Sequence, residues 1–175
     1  MELADIFADA KQFIPRLRFE DADANLSYFN QPFSEQVALI QALDNPEIKT
    51  VVVLKPRQIG ITTANCAHFW ASYTANKPLR TIVVADHNKT TKSIFKKFCT
   101  YYHHLPAKLK ESNPFKINQN DKTLVSQRTD ALIDHMTARG DTHGRGWTYQ
   151  RFVAEELAFW PHPEEVWSGI RSTLH

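Results

Sequence analysis

The chain has 175 residues, of which 42% are hydrophobic and 23% charged, and its formal net charge is +2. This length is enough for one domain with its own core. No apolar run approaches the ~20 residues that a membrane helix needs, and the acidic N-terminus does not resemble a signal peptide. The small positive charge does not by itself argue for nucleic-acid binding. We therefore expect a cytoplasmic globular protein with no membrane partner.

The cysteines and histidines indicate no metal centre. Cys66 and Cys99 fall inside predicted helices without metal-ligand spacing, and a reducing compartment disfavours a disulfide between them. Two buried thiols are the simplest interpretation. The eight histidines form neither an H-E-x-x-H motif nor a cluster with cysteine, so no zinc site is predicted.

The N-terminal part differs in composition from the rest. Residues 1–30 are polar and mixed, and we expect one or two loosely attached helices there, an arm preceding a core over residues 31–175. After the arm, Val37, Ile40 and Leu43 recur at helical spacing and predict a helix with Ser34 as its N-cap.

From residue 50 onward, strands and helices alternate, which predicts an α/β fold with a largely parallel sheet. The segment TVVVL (50–54) is a continuous apolar run, typical of a strand buried on both faces. The further predicted strands are residues 80–85, 123–127, 131–136 and 151–156, and the predicted helices are residues 62–76, 88–105 and 164–174.

The helix over 88–105 is amphipathic. Ile94 and Phe98 face inward, while Lys89, Lys92 and Lys96 share the opposite face. A solvated face is the simplest interpretation of the lysines, and a DNA contact is the alternative.

Residues 55–62, KPRQIGIT, nearly match the phosphate-loop template G-x-x-x-x-G-K-[ST]. Lys55 stands at the first glycine of the template and Gly60 at the second. Ile61 stands where the lysine belongs, and Thr62 stands at the hydroxyl position. The match is partial, and a strand–turn–helix without a ligand is the alternative.

The chemistry of this loop suits a nucleotide. The start of a helix offers unpaired N–H groups and a positive dipole end to phosphates, and Gly60 allows close backbone approach. Thr62 and Thr63 open the helix, with Thr62 placed to ligate Mg²⁺. Lys55 or Arg57 would supply the charge that an isoleucine cannot.

The segment RFVAEE (151–156) is a short apolar strand that ends in Glu155 and Glu156. In phosphate-loop ATPases an acid at a strand end holds the Mg²⁺ shell, and a neighbouring catalytic group positions the attacking water. Two surface glutamates are the alternative, but the phosphate loop upstream favours the functional interpretation.

Two further segments suit the same site. In NQPFSEQ, Phe33 would stack on adenine and Gln36 would read its edge; a plain helix-entry glutamine is the alternative. The glycine-rich segment ARGDTHGRGWT (138–148) carries Arg145, which would reach a phosphate in its own or a neighbouring subunit. A surface loop without function is the alternative for this segment.

Taken together, KPRQIGITT (55–63), GRGWT (144–148) and FVAEELAFWPHPEEVWSGI (152–170) resemble the N-terminal ATPase domain of tailed-phage terminase large subunits, the motors that package DNA into procapsids. A loop of the form R-Q-x-G-x-T-T is usual in that family, and its lysine sometimes stands at the start of the loop, as Lys55 does. The resemblance covers roughly residues 30–175 and favours a nucleotide site with a relocated lysine.

The resemblance implies a three-layer P-loop NTPase core that binds ATP and Mg²⁺. The implied nucleotide ligands are Phe33, Gln36, Lys55, Arg57, Gln58, Gly60, Ile61, Thr62 and Thr63. Thr62 and Glu155 would hold Mg²⁺, with Glu155 standing where the family often has aspartate. The implied catalytic residues are Glu156, Arg57 and Arg145.

The resemblance also implies partners. The intact motor acts on double-stranded DNA as a ring of subunits, with a portal, a procapsid and a small terminase subunit. In the family a coupling motif and a nuclease domain follow the acidic strand, so we expect the core here to be incomplete at the C-terminus. The alternatives are a non-hydrolysing prophage remnant that acts as an interaction module, and a helicase-like ATPase.

Overall fold

A computed structural model describes residues 13–21, 23–56, 59–74, 79–139 and 147–174. The chain divides into two compact units. The first comprises Met1–Ala75 and Thr100–Leu105, and the second comprises Asn76–Cys99 and Pro106–His175. The boundary that we predict at residue 30 stays a prediction.

The first unit contains a short antiparallel hairpin of β1 (Arg18–Glu20) and β2 (Leu26–Tyr28). In its turn, Asp21 Oδ1 accepts hydrogen bonds from the backbone N–H groups of Asp23 and Asn25. A side chain that binds the backbone in this way favours a turn over a helix. The expected helices are therefore wrong for residues 18–28, and residues 1–12 lie outside the described part.

Helix α1 (Ser34–Asp44) confirms the helix predicted after the arm. Its N-cap is Phe33 rather than Ser34. Its buried residues are Gln36, Leu39 and Ile40. Val37, one of the regularly spaced apolar residues that predict the helix, is exposed. The buried stripe is set by the helix that packs against α1, and spacing within α1 alone does not determine it.

Helix α2 (Ile61–Thr74) confirms the second helix and packs against α1. It is buried on most of its circumference; Trp70 and Tyr73 are fully buried. His68 Nε2 lies 2.9 Å from Asp44 Oδ1 and joins the two helices through a polar contact.

The second unit is built on a five-stranded sheet in the order β4-β5-β6-β3-β7. The central strand β3 (Arg80–Ala85) pairs in parallel with β6 (Leu132–Thr137) and β7 (Arg151–Glu155). The strands β4 (Phe115–Asn118) and β5 (Thr123–Ser126) continue the sheet in antiparallel pairs. The sheet is thus mixed, and the expected parallel arrangement holds for β6, β3 and β7.

Helices cover both faces of this sheet. Val166 and Ile170 of α5 (Pro163–Arg171) pack in one core cluster with Ile82 and Val84. On the opposite face, Phe95 and Phe98 of α3 (Asn88–His103) contact the ring of His135. The shorter helix α4 (Ala107–Ser112) and strand β4 are not among the predicted elements. The P-loop NTPase core inferred from the resemblance stays a prediction.

The segment 50–54 is the main error in the predicted fold. These residues form no strand, and Val52 and Leu54 are 81% and 96% exposed instead of buried. β-Branched side chains favour extended backbone, but a strand also needs a neighbour that satisfies its N–H and C=O groups. None of the described strands pairs with this segment.

None of the helices in the described part of the chain is long and apolar enough to cross a lipid bilayer.

Candidate nucleotide site

The start of α2 has the backbone geometry of an anion site. The carbonyl oxygen of Gly60 accepts a hydrogen bond from Ala64 N at 2.9 Å, so the helical bonding begins at Gly60. Gly60 has φ +69°, a conformation that residues with a side chain rarely adopt. The first N–H groups of a helix have no partner within it, and they attract phosphate together with the helix dipole.

Gln36 holds the loop that leads into this helix. Its Nε2 donates to the carbonyl oxygen of Ile59 at 3.1 Å, and its Oε1 accepts from Phe33 N at 3.0 Å. The side chain is 5% exposed. Both polar atoms of Gln36 thus bind backbone groups, and its second amide N–H and second oxygen lone pair are the groups that would read an adenine edge. Phe33 is 60% exposed, which leaves its ring accessible for stacking.

Tyr101 supports the first turn of α2 from another element. Its hydroxyl donates to the carbonyl oxygen of Thr63 at 3.0 Å, and the ring is buried. Burial raises the pKa of Tyr101, with a smaller contribution from Cys66, so the hydroxyl stays a donor at neutral pH. The sequence does not reveal this role of Tyr101, because no local pattern shows which carbonyl a buried hydroxyl meets.

The remaining loop residues are placed as follows. Lys55 is exposed, Thr62 is partly buried, and Thr63 is buried. Ile61 is 7% exposed, so the position that holds lysine in the template points into the core here. This burial explains why an apolar residue suits position 61. Arg57 and Gln58 lie outside the described residues.

The second unit carries the acids. Glu155 is the last residue of β7, opposite Ala85 of β3, and is 8% exposed. Trp160 Nε1 donates to the carbonyl oxygen of Glu155 at 3.0 Å, which fixes the chain as it leaves the sheet. Glu156 is exposed and has φ 56°, in the left-handed region. Non-glycine residues in this conformation are strained and cluster at functional sites.

Asp86 is an acid that sequence reasoning missed. It directly follows β3, one residue beyond the pair Ala85–Glu155. Burial favours a higher pKa for Asp86, but hydrogen bonds from His87 and Thr90 outweigh this effect and lower it. Its Oδ2 lies 2.5 Å from His87 Nδ1. The signal was present in the sequence, since VVAD places an acid at the carboxyl end of a buried strand.

The metal that the sequence predicts is one that is held mainly by phosphate. Within the described ranges, no group of three or more histidine, cysteine, aspartate or glutamate residues is arranged to hold a metal. Mg²⁺ at phosphate sites takes one or two carboxylates together with phosphate oxygens and water. Thr62, in the first unit, and Glu155, in the second, stay predicted Mg²⁺ ligands. Arg145 lies outside the described part of the chain.

The fold has a counterpart among solved structures. The crystal structure of the HK97 bacteriophage large terminase is similar, with a TM-score of 0.66 and 19% sequence identity over 90% of this chain. The fold is terminase-like. The matched region is 32% of the HK97 terminase, so this chain spans about a third of that protein's length. No family model matches the sequence, and no curated protein matches it either.

Proposed function

We propose that this chain is the ATP-binding core of a terminase-like, DNA-packaging ATPase. The observation that carries the proposal is Gly60 with positive φ at the start of a 14-residue helix, in a chain with a terminase-like fold. The terminase-like motifs KPRQIGITT and FVAEE supply the residue types that phosphoryl transfer needs.

The proposed roles follow from the chemistry of ATP hydrolysis. The N–H groups at the start of α2 cradle the phosphates, and Lys55 or Arg57 neutralises their charge. Thr62 and Glu155 would hold Mg²⁺, which would offset the negative charge that develops on the phosphate. Glu156 orients the water that attacks the γ-phosphate. Phe33 stacks on the base, and Gln36 and Tyr101 keep the loop and the first helical turn in place.

The proposed partners come from the same resemblance. The HK97 protein is a large terminase. For this chain we propose double-stranded DNA as the translocated substrate, with a portal, a procapsid and a small terminase subunit as partners of a ring-shaped motor in the host cytoplasm.

A second candidate is a binding module that does not hydrolyse ATP. The observation that favours it is the exposed segment 50–54, because in a P-loop ATPase the strand before the loop anchors the site within the sheet. A loop without this anchor would bind nucleotide weakly.

Calorimetry and phosphate release separate the two candidates. The chain is titrated with ATP in the presence and absence of Mg²⁺, and phosphate release is followed with and without duplex DNA. Mg²⁺-dependent binding together with turnover supports the ATPase. Binding without turnover under every condition supports the module, and no binding at all overturns both.

A further inference from the structure

Helix α3 presents an exposed face of lysines and small polar residues. Its exposed residues in the second unit are Asn88, Lys89, Lys92, Ser93 and Lys96. At 100° per residue the three lysines fall within an arc of about 60°, and they span about 10 Å along the axis. The opposite face, with Ile94, Phe95 and Phe98, is buried in the fold.

The charge around this face is segregated. Residues 87–110 contain six lysines and no aspartate or glutamate. The whole chain has a formal charge of only +2, so the rest of it is net acidic. An ordinary solvated helix mixes both signs, which supports it through pairs three and four residues apart. The nearest acid on the N-terminal side, Asp86, is engaged with His87.

The character of the face limits its partner. Its apolar residues are buried, so no hydrophobic stripe is available to enter a membrane. The exposed residues named above include no aromatic ring, whereas binding of single-stranded nucleic acid relies on bases that stack on such rings. Lysines and small polar donors in a row suit the phosphates of a duplex, which carry one charge per about 1.7 Å of helix axis.

We propose that this face of α3, through Lys89, Lys92 and Lys96, binds the phosphate backbone of double-stranded DNA. The identity of the partner rests on the proposed function. The contact is independent of base sequence, because lysines on phosphates position a duplex without reading it. It also assigns a role to a lysine row that the nucleotide site does not use.

The test is a salt titration of duplex binding. The full chain, without nucleotide, is mixed with a fluorescent duplex of about 30 base pairs between about 50 and 200 mM salt. Each lysine–phosphate contact contributes about 0.9 to the slope of log K against log salt. The variant K89A/K92A/K96A should therefore lose about 2.7 from that slope. The control K49A/K116A/R171A removes the same charge from exposed sites elsewhere and should keep the slope within one contact of the parent.

Four outcomes overturn the inference. The first two are a parent chain that does not bind the duplex and an equal loss of slope in both triple variants. The third is stronger binding of a single strand of equal charge than of the duplex. The fourth is competition by polyglutamate of matched charge that is as strong as competition by unlabelled duplex. Circular dichroism verifies that each variant folds, as expected for exposed lysines replaced by a strong helix former. A parent that binds ATP but no duplex leaves the proposed ATP site standing. A parent that binds the duplex through these lysines but binds no ATP supports the DNA-binding face and contradicts the proposed ATP site.

Discussion

Gln36 occupies the space beside Gly60: a Cβ atom on residue 60 would lie 2.3 Å from Gln36 Nε2. The same nitrogen donates to the carbonyl oxygen of Ile59. The residue expected to read adenine therefore also holds the loop that leads into α2, and this contact is possible because residue 60 lacks a side chain.

We expect Gly60→Ala to weaken ATP binding at least tenfold. The left-handed backbone costs an alanine roughly 1–2 kcal/mol, and the added methyl group displaces Gln36. In a Gln36→Ala background the clash is absent, so Gly60→Ala should lower the ATP affinity by less than it does in the parent. Calorimetry with ATP measures both. Unchanged affinity in Gly60→Ala would show that this loop does not form the site.

Lys55→Ala should weaken ATP binding by ~1.5–3 kcal/mol, the value of a charge-assisted phosphate contact. The control is Ile61→Val, a change at the position where the phosphate-loop template has its lysine. Because Ile61 is buried, this change should cost stability of ~0.5–1.5 kcal/mol and leave affinity nearly unchanged. If Lys55→Ala binds ATP as tightly as the parent, either Arg57 supplies the charge or this loop is not a phosphate site.

Substitutions of the two neighbouring glutamates should have different effects on ATP binding and hydrolysis. Glu156→Gln retains ATP but loses turnover, since only the group that orients water is altered. Glu155→Gln weakens binding when Mg²⁺ is present and has little effect without it. Glutamine has nearly the same shape as glutamate, so it fits the buried space that the Glu155 side chain occupies. Nucleotide binding and phosphate release, each with and without Mg²⁺, decide between these roles; equal effects on binding would contradict them.

Arg145 is predicted to act on the site of a neighbouring subunit. An arginine finger can be worth ~10³–10⁵ in rate, so the monomeric chain should be slow. In a longer protein that carries the coupling motif and the nuclease domain and assembles into rings, mixing Glu156→Gln with Arg145→Ala subunits should restore turnover above either alone. Mixed rings contain sites that combine an intact Glu156 with a donated Arg145. If assembly is verified by light scattering and no recovery follows, Arg145 acts within its own subunit or has no role.

The second unit should lose stability in mild acid through His135. Burial between Phe95 and Phe98 lowers its pKa from 6.5 to about 4, despite a hydrogen bond from Nδ1 to the Lys122 carbonyl. Below pH 6.5 the unfolded chain binds a proton that the folded chain does not, so stability falls as the pH falls. The loss between pH 7 and 5 should be about 2 kcal/mol.

Urea unfolding at the two pH values measures this loss. His135→Leu removes the titrating group and should flatten the pH dependence, whereas His104→Gln, a change at an exposed histidine, should leave it as in the parent. An equally steep dependence in His135→Leu would assign the acid sensitivity to other groups.

The sequence alone determined the elements whose signals are local. The strand RTIVVA and the amphipathic helix after it were predicted within two residues of their bounds, because side-chain periodicity and strand propensity act over a few neighbours. The same holds for β7 and for its terminal acids, which follow from one short motif. The phosphate-loop match likewise placed Gly60 at the start of a helix, since a glycine there has a backbone reason that the sequence displays.

Tertiary structure decided everything that depends on a partner distant in sequence. TVVVL has strong strand propensity but pairs with none of the described strands, so its apolar side chains are exposed. Val37 is exposed and Gln36 buried because α2 and its loop, and not the spacing within α1, select the inner face. Likewise, only the folded chain brings the Tyr101 hydroxyl to the Thr63 carbonyl, 38 residues away. Such contacts depend on burial and backbone pairing between remote segments, which no local pattern encodes.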